Sequence, residues 1–308
     1  MFLSCALLIL AQWLTPAAAT VHTGFACGAF WSQSQAKTKE DFVRQFNLAK
    51  NLPDVPVSFN SARLFQTAQW QTQNDPSEAF EAAIETNTTL LLGIWVSASD
   101  NELIALDHAF EKHGQKLADL VVGISVGNED IYRTSDMCTQ KNGGKPCDMA
   151  YSADEIKANI SSVRSTIAQK PWIKLFKEPP PIGHTDIAQY APLEGSDFIG
   201  MTAYPVWNKD SIENANESFF NSLAGVQERS GNTPVWITET GWPSSGSGAD
   251  ISPPSLESMQ EYWTKVGCSL FGKYNVWWFE LERDTDDGLD WGIIDIPSQT
   301  PKIKDLSC

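Results

Sequence analysis

Between residues 24 and 281 the chain alternates eight times between a short apolar run and a helix-like stretch, with short connections. The runs fall at 24–30, 57–65, 89–96, 121–129, 197–204, 235–239 and 274–281, with a poorly marked fifth in 171–183. Leu90-Leu91-Leu92-Gly93-Ile94 is apolar without a break, as a parallel strand covered on both faces must be. Alternation of strand and helix argues a parallel sheet, and eight units over roughly 290 residues argue its closure into a (β/α)8 TIM barrel in a single domain. An open doubly wound sheet is the rival, but no Gly-rich phosphate loop follows any strand.

The segments between the runs carry helix signals. Thr38-Lys39-Glu40-Asp41 reads as an N-cap into a helix with Phe42, Phe46 and Ala49 on one face. Further helices are expected at 76–84, 99–117, 152–168, 212–228 and 254–270. The fifth unit departs from the pattern. Pro179-Pro180-Pro181 and a weak strand signal predict an irregular barrel there.

At 308 residues, 42% hydrophobic and 19% charged, the chain buries a full core. Lys and Arg number 22 against 38 Asp and Glu, a net charge of −16. Nucleic acid and anionic membrane require a basic face and are excluded as expected partners. A neutral polymer is compatible with this charge.

Residues 2–14 are almost wholly apolar and lead to Ala17-Ala18-Ala19, which reads as a secretory signal over 1–19, cleaved after Ala19, with 20–308 as the mature domain. No Lys or Arg precedes the run, a departure from the usual signal. No later stretch approaches the roughly 18 apolar residues of a membrane span, and the polar C-terminus has no hydrophobic anchor tail.

Loss of the signal removes Cys5 and leaves Cys27, Cys138, Cys147, Cys268 and Cys308, an odd set whose pairing stays open. Cys138 and Cys147 bracket a Gly-rich loop and are close enough to staple it; Cys268 and Cys308 can tie the last helix to the chain end. Cys27 then reads as a buried free thiol. No cysteine pair has zinc-ligand spacing, and His108 and His113 are five apart, off the i,i+4 repeat, so no metal is expected. Sequons stand at Asn87, Asn159 and Asn216.

Two runs end on a glutamate. Val121-Val122-Gly123-Ile124-Ser125-Val126-Gly127-Asn128 leads into Glu129, and Val235-Trp236-Ile237-Thr238 into Glu239, where Gly241, Trp242 and Pro243 stop the strand. In such a barrel, reacting groups sit at the carboxyl ends of the strands. Glu129 and Glu239, 239 − 129 = 110 positions apart, are then brought to one mouth. Two carboxylates about 5–5.5 Å apart suit double displacement on a glycoside, one attacking and the other giving and then taking a proton.

At Val126-Gly127-Asn128-Glu129 and Trp236-Ile237-Thr238-Glu239-Thr240-Gly241-Trp242-Pro243 the chain resembles the family 17 glycoside hydrolases, the fungal secreted glucan endo-1,3-β-glucosidases in particular. Weaker similarities are Ala203-Tyr204-Pro205, Tyr262-Trp263-Thr264-Lys265-Val266-Gly267-Cys268 and Asp305-Leu306-Ser307-Cys308. The resemblance implies Glu129 as acid/base, Glu239 as nucleophile, and Asn128 on the sugar 2-hydroxyl. It further implies retaining cleavage of internal β-1,3-glucosidic bonds in glucan, with no cofactor. A glucanosyltransferase using the same residues is the alternative, and a non-catalytic glucan-binding wall protein a further one. The expected setting is a secreted monomer, extracellular or loosely bound to the cell wall.

The remaining site candidates are aromatic and acidic. Tyr204 ends the sixth strand beside Glu239 and can orient it. Trp95, Trp207, Trp242 and Trp291 lie at or beyond strand ends and can present flat apolar faces to sugars, whereas Trp236, Trp263, Trp277 and Trp278 read as core. Glu280, at the end of the eighth strand where many family members also carry a carboxylate, is a third acid for the mouth. Glu282, Arg283, Asp284, Asp286 and Asp287 follow it, so a solvated acidic loop explains it as well.

Overall fold

The computed structural model describes residues 20–247, 251–284 and 288–308. The expected signal peptide, with Cys5 and its cleavage site, and Asp286 and Asp287 lie outside these residues. Eight parallel strands close into a barrel: β1 (Thr23–Cys27), β2 (Ser61–Leu64), β3 (Thr89–Ile94), β4 (Val121–Asn128), β5 (Ile182–Ile187), β6 (Ile199–Thr202), β7 (Val235–Glu239) and β8 (Val276–Trp278). Each pairs with its sequence neighbour, and β1 closes the ring on β8 through Thr23↔Val276, Gly24↔Trp277 and Phe25↔Trp278. The architecture is the expected (β/α)8 barrel.

Helices α1 (Lys39–Lys50), α2 (Ala79–Thr86), α3 (Ser99–His113), α4 (Ala153–Ala168), α5 (Ile212–Ser230) and α6 (Leu256–Tyr262) surround it. Thr38 and Asp41 form a reciprocal capping box on α1, and Ser152 and Glu155 form another on α4. Phe42, Phe46 and Ala49 are the buried face of α1, as their spacing predicts. Two expected helices are interrupted. Gly114, at φ +51, separates α3 from a short turn of helix at Gln115–Ala118, and a π-helical turn at Trp263–Gly267 follows α6. Among the described residues no helix is long and apolar enough to cross a membrane.

The fifth unit is irregular only on its way in. A 3-10 turn at Pro171–Leu175 and the three prolines occupy 171–181, and β5 begins immediately afterwards. Proline lacks the N–H a central strand must donate, so the strand starts where the prolines end. The expected 171–183 strand region was therefore placed too early.

One apolar cluster fills the space between strands and helices, and a second, Leu91, Phe198, Trp236 and Trp277, fills part of the core separately. Phe198 and Trp236 stack at 4.0 Å between centroids. A Cβ on Gly123 would stand 2.9 Å from the Trp236 ring, so glycine makes room for that indole. Trp236, Trp263, Trp277 and Trp278 are all buried, as expected. Disulfides join Cys138 to Cys147 and Cys268 to Cys308, and Cys27 is a buried free thiol.

Candidate active site

β7 ends on Glu239, and β4 stops one residue short of Glu129, so both carboxylates stand at the carboxyl rim. They line a single groove of about 870 Å³ with Thr202, Tyr204, Trp207 and Trp291. Glu129 sits in the left-handed region (φ 58, ψ 27) between β4 and the turn Asp130–Arg133. A residue with a Cβ adopts that conformation at a cost of about 1–2 kcal/mol, so its surroundings must hold it there. Part of that hold is the Glu129 N–H, which donates to the Thr185 carbonyl at 2.8 Å.

The two carboxyls have different neighbours. Thr202 Oγ1 donates to Glu129 Oε1 at 2.7 Å, and the charge that acts on it most strongly is another anion, Glu239. Burial first, and the Glu239 charge second, push the Glu129 carboxyl up to about 7 from an ordinary 4.5. Glu239 instead receives two donors. Arg63 Nη1 forms a buried ion pair with Oε1, and the Tyr204 hydroxyl donates to Oε2 at 2.7 Å. Tyr204 is held well above the ordinary phenol range by burial and then by Glu239, so it keeps its proton and remains a donor. Such a groove offers one carboxyl that holds a proton near neutrality and one braced by a guanidinium and a phenol.

Arg63 also ties in Asn128, since its Nη2 donates to Asn128 Oδ1 at 2.6 Å. That amide then has its NH2 group left to donate. Sequence reading placed Arg63 only at a strand end. The signal was there: an arginine inside the buried strand Ser61-Ala62-Arg63-Leu64 needs an anion to receive it.

The aromatic candidates separate. Trp207 is half-buried in the groove wall, with Lys141 Nζ 5.5 Å from its ring centroid. Trp291 is 2% exposed and braces its neighbours, 5.1 Å from Tyr204 and 6.0 Å from Trp207. Trp242 does not offer a platform. It is 1% exposed and packs 5.6 Å from Tyr262, because the chain after β7 turns back onto the core. Trp95 is half-buried past β3 and is not part of the groove lining.

Glu280 is also displaced from its expected place. It is 1% exposed, outside the groove lining, and lies near Asp284 and Lys37. Burial, then the Asp284 charge, raises its carboxyl well above the usual range. The alternative of a solvated acidic loop fails for Glu282 and Asp284. Asp284 pairs with the wholly buried Lys37, and buried Glu282 pairs with Arg44. Missed groove residues include Tyr132, Met137 and Lys141, which follow β4 on a segment read only as a stapled loop.

A family model described as the BtgE/BtgC glycoside hydrolase domain matches residues 24–287. The chain belongs to this glycoside hydrolase family. It is 40% identical over 302 residues to an Aspergillus fumigatus protein named probable glucan endo-1,3-beta-glucosidase eglC, an alignment covering 93% of this chain and 65% of the relative. The BtgE/BtgC-type chain thus spans about two thirds of that relative. A Saccharomyces cerevisiae glucan 1,3-beta-glucosidase is 24% identical over 261 residues, covering 80% of this chain and 75% of that protein. The fold is shared with the crystal structure of a glycoside hydrolase family 17 beta-1,3-glucanosyltransferase from Rhizomucor miehei, at a TM-score of 0.72 and 21% identity, over 92% of this chain and 98% of that one.

Proposed function

We propose that the protein is a secreted, retaining endo-β-1,3-glucanase acting on internal bonds of cell-wall glucan. The observation that carries the reading is the pair in one groove, Glu129 held protonated toward neutrality and Glu239 fixed by Arg63 and Tyr204. Glu239 attacks the anomeric carbon while Glu129 gives its proton to the departing glucan oxygen, leaving a glycosyl ester on Glu239. Glu129, now a carboxylate, takes a proton from water. The water oxygen attacks the same carbon, Glu239 leaves, and the configuration is retained. Asn128 donates to the sugar 2-hydroxyl, a contact that strengthens in the transition state. Trp207 supplies the stacking face beside the cleaved bond.

The names of the Aspergillus and Saccharomyces relatives support the substrate. The apolar N-terminal run and the two disulfides support export. Incubation with linear β-1,3-, mixed-linkage β-1,3/1,4- and β-1,4-glucans tests it. Early fragments of intermediate size from the β-1,3 polymer, released as the β-anomer, are expected. Products longer than the donor would assign the same residues to glucanosyl transfer, and glucan binding without reducing-sugar release would leave a binding protein.

A further inference from the structure

Beneath Glu129 lies a buried set of ionisable groups that the proton transfer itself does not use: His184 and Asp186 on β5, and Asp130 on the turn after β4. His184 and Asp186 are two apart on a strand and so share a face. His184 Nδ1 lies 2.7 Å from the Val126 carbonyl, and Nε2 lies 3.2 Å from Asp186 Oδ2. Asp186 Oδ2 also accepts from the backbone N–H groups of Ile131 at 2.9 Å and Tyr132 at 3.3 Å, and Oδ1 accepts from Ile187 N–H at 2.8 Å. All three backbone partners of Asp186 are N–H donors, the pattern of a carboxylate. Both ring nitrogens of His184 face acceptors, whereas a neutral imidazole has one N–H. The ring satisfies both contacts only when doubly protonated.

We infer that His184, an imidazolium wedged between the Val126 carbonyl and the Asp186 carboxylate, is the positioning residue that fixes Glu129 for proton transfer. Three successive residues of β5 grip the chain on both sides of the acid: His184 at Val126, Thr185 at the Glu129 N–H, and Asp186 at Ile131 and Tyr132. The grip holds Glu129 in its left-handed conformation. A Cβ on Gly127, at φ +80, would come within 2.3 Å of Asp130 Oδ2 and 3.1 Å of His184 Cε1, so the packing leaves no slack. The charged groups facing the ring are Asp186 and Asp130, with Glu129 and Arg133 acting on those two in turn. Burial, the largest single influence, works against a cationic ring, but Asp186, the Val126 carbonyl and Asp130 together outweigh it, and the balance lies above the ordinary histidine value. Glu239 is held from elsewhere, by Arg63 on β2 and by Tyr204 after β6. Loss of His184 should therefore harm acid/base transfer and spare nucleophilic attack.

The inference rests on Glu129 being the proton donor, and the test separates the two statements. The full chain and its His184→Gln variant are assayed on linear β-1,3-glucan and on 2,4-dinitrophenyl β-laminaribioside, whose leaving group departs without an acid. On glucan, kcat/KM is expected to fall about 10–100-fold; on the aryl glycoside it should fall less than about threefold. Azide, which attacks the glycosyl-enzyme without a base, should restore kcat on the aryl glycoside and yield a glycosyl azide. Equal losses on both substrates, or no loss on glucan, overturn the inference. Ring N–H spectra of the wild-type protein, which has four histidines, give a readout independent of folding of the variant. One histidine should keep both N–H protons in slow exchange above neutral pH, and a single N–H on the buried ring overturns the inference. Glu129→Gln is run alongside. Full activity of that variant on glucan refutes the acid/base role itself, whatever the His184 spectrum shows.

Discussion

Glu129 and Glu239 are chemically identical side chains at one rim, and their neighbours alone tell them apart. Glu129 has an anion beside it and a single hydroxyl donor; Glu239 has a guanidinium and a phenol. In its proposed role as the acid, Glu129 must carry its proton in the free enzyme, so kcat/KM on glucan should decline as pH rises, with a midpoint near the value of about 7 to which it is raised. A pH–rate profile still level well above that pH would contradict the assignment. Glu239→Gln should cost about three orders of magnitude or more in turnover with little change in melting temperature, since loss of a nucleophile removes the covalent path. The same substitution removes the charge that helps hold Glu129 up. The Glu129 carboxyl should therefore titrate lower in Glu239→Gln than in the wild type, as read by its 13C shift. Both glutamates were legible in the sequence because each ends an apolar run. His184 was not, and Arg63 only in part: an arginine in an apolar run calls for an anion, but which anion depends on the strands that lie beside its own.

Among the elements, the segment Asp136–Lys141 with its Cys138–Cys147 staple shapes the groove most directly. It brings Met137 and Lys141 to the wall and sets Lys141 over the Trp207 ring. The chain-entropy account of a cross-link across this short loop gives about 2–3 kcal/mol. Cys138→Ala/Cys147→Ala should raise KM for long glucan and leave kcat on the dinitrophenyl glycoside nearly unchanged. Equal steady-state constants for the two proteins on glucan would show that the staple does not shape binding. Cysteine spacing disclosed this staple; the helix it holds carries no comparable signal. The fifth strand was obscured by prolines that end one residue before it begins. The tryptophans misled for a related reason. A position after a strand end is compatible with a wet rim or with a return into the core, and Trp242 takes the second course.

At the scale of the molecule, the start and end of the barrel are joined by charge as well as by strands. Lys37, just past the hairpin of Phe30–Ser32 with Gln35–Ala36, is fully buried against Asp284, which also accepts from Gly28 N–H at 3.0 Å. Lys37→Met would leave Asp284 buried without its cation and should cost about 3–5 kcal/mol, measured by denaturant unfolding. A loss below about 1 kcal/mol would mean that the backbone donor alone supports Asp284. Sequence reading left this acidic stretch open between a third acid at the mouth and a solvated loop, because the lysine that receives Asp284 lies 247 positions away. The alternation of strands and helices, by contrast, repeats along the chain, and so the barrel itself was readable.

Closure between β1 and β8 also has a consequence for how the chain is made. The flank of β1 that faces away from β2 finds its partners only when residues 276–278 exist. Throughout synthesis of the intervening chain, an incomplete curved sheet would have one flank with no neighbour, the condition in which foreign strands add to it. The last barrel strand to leave the ribosome is thus also the one that removes this opportunity for aggregation.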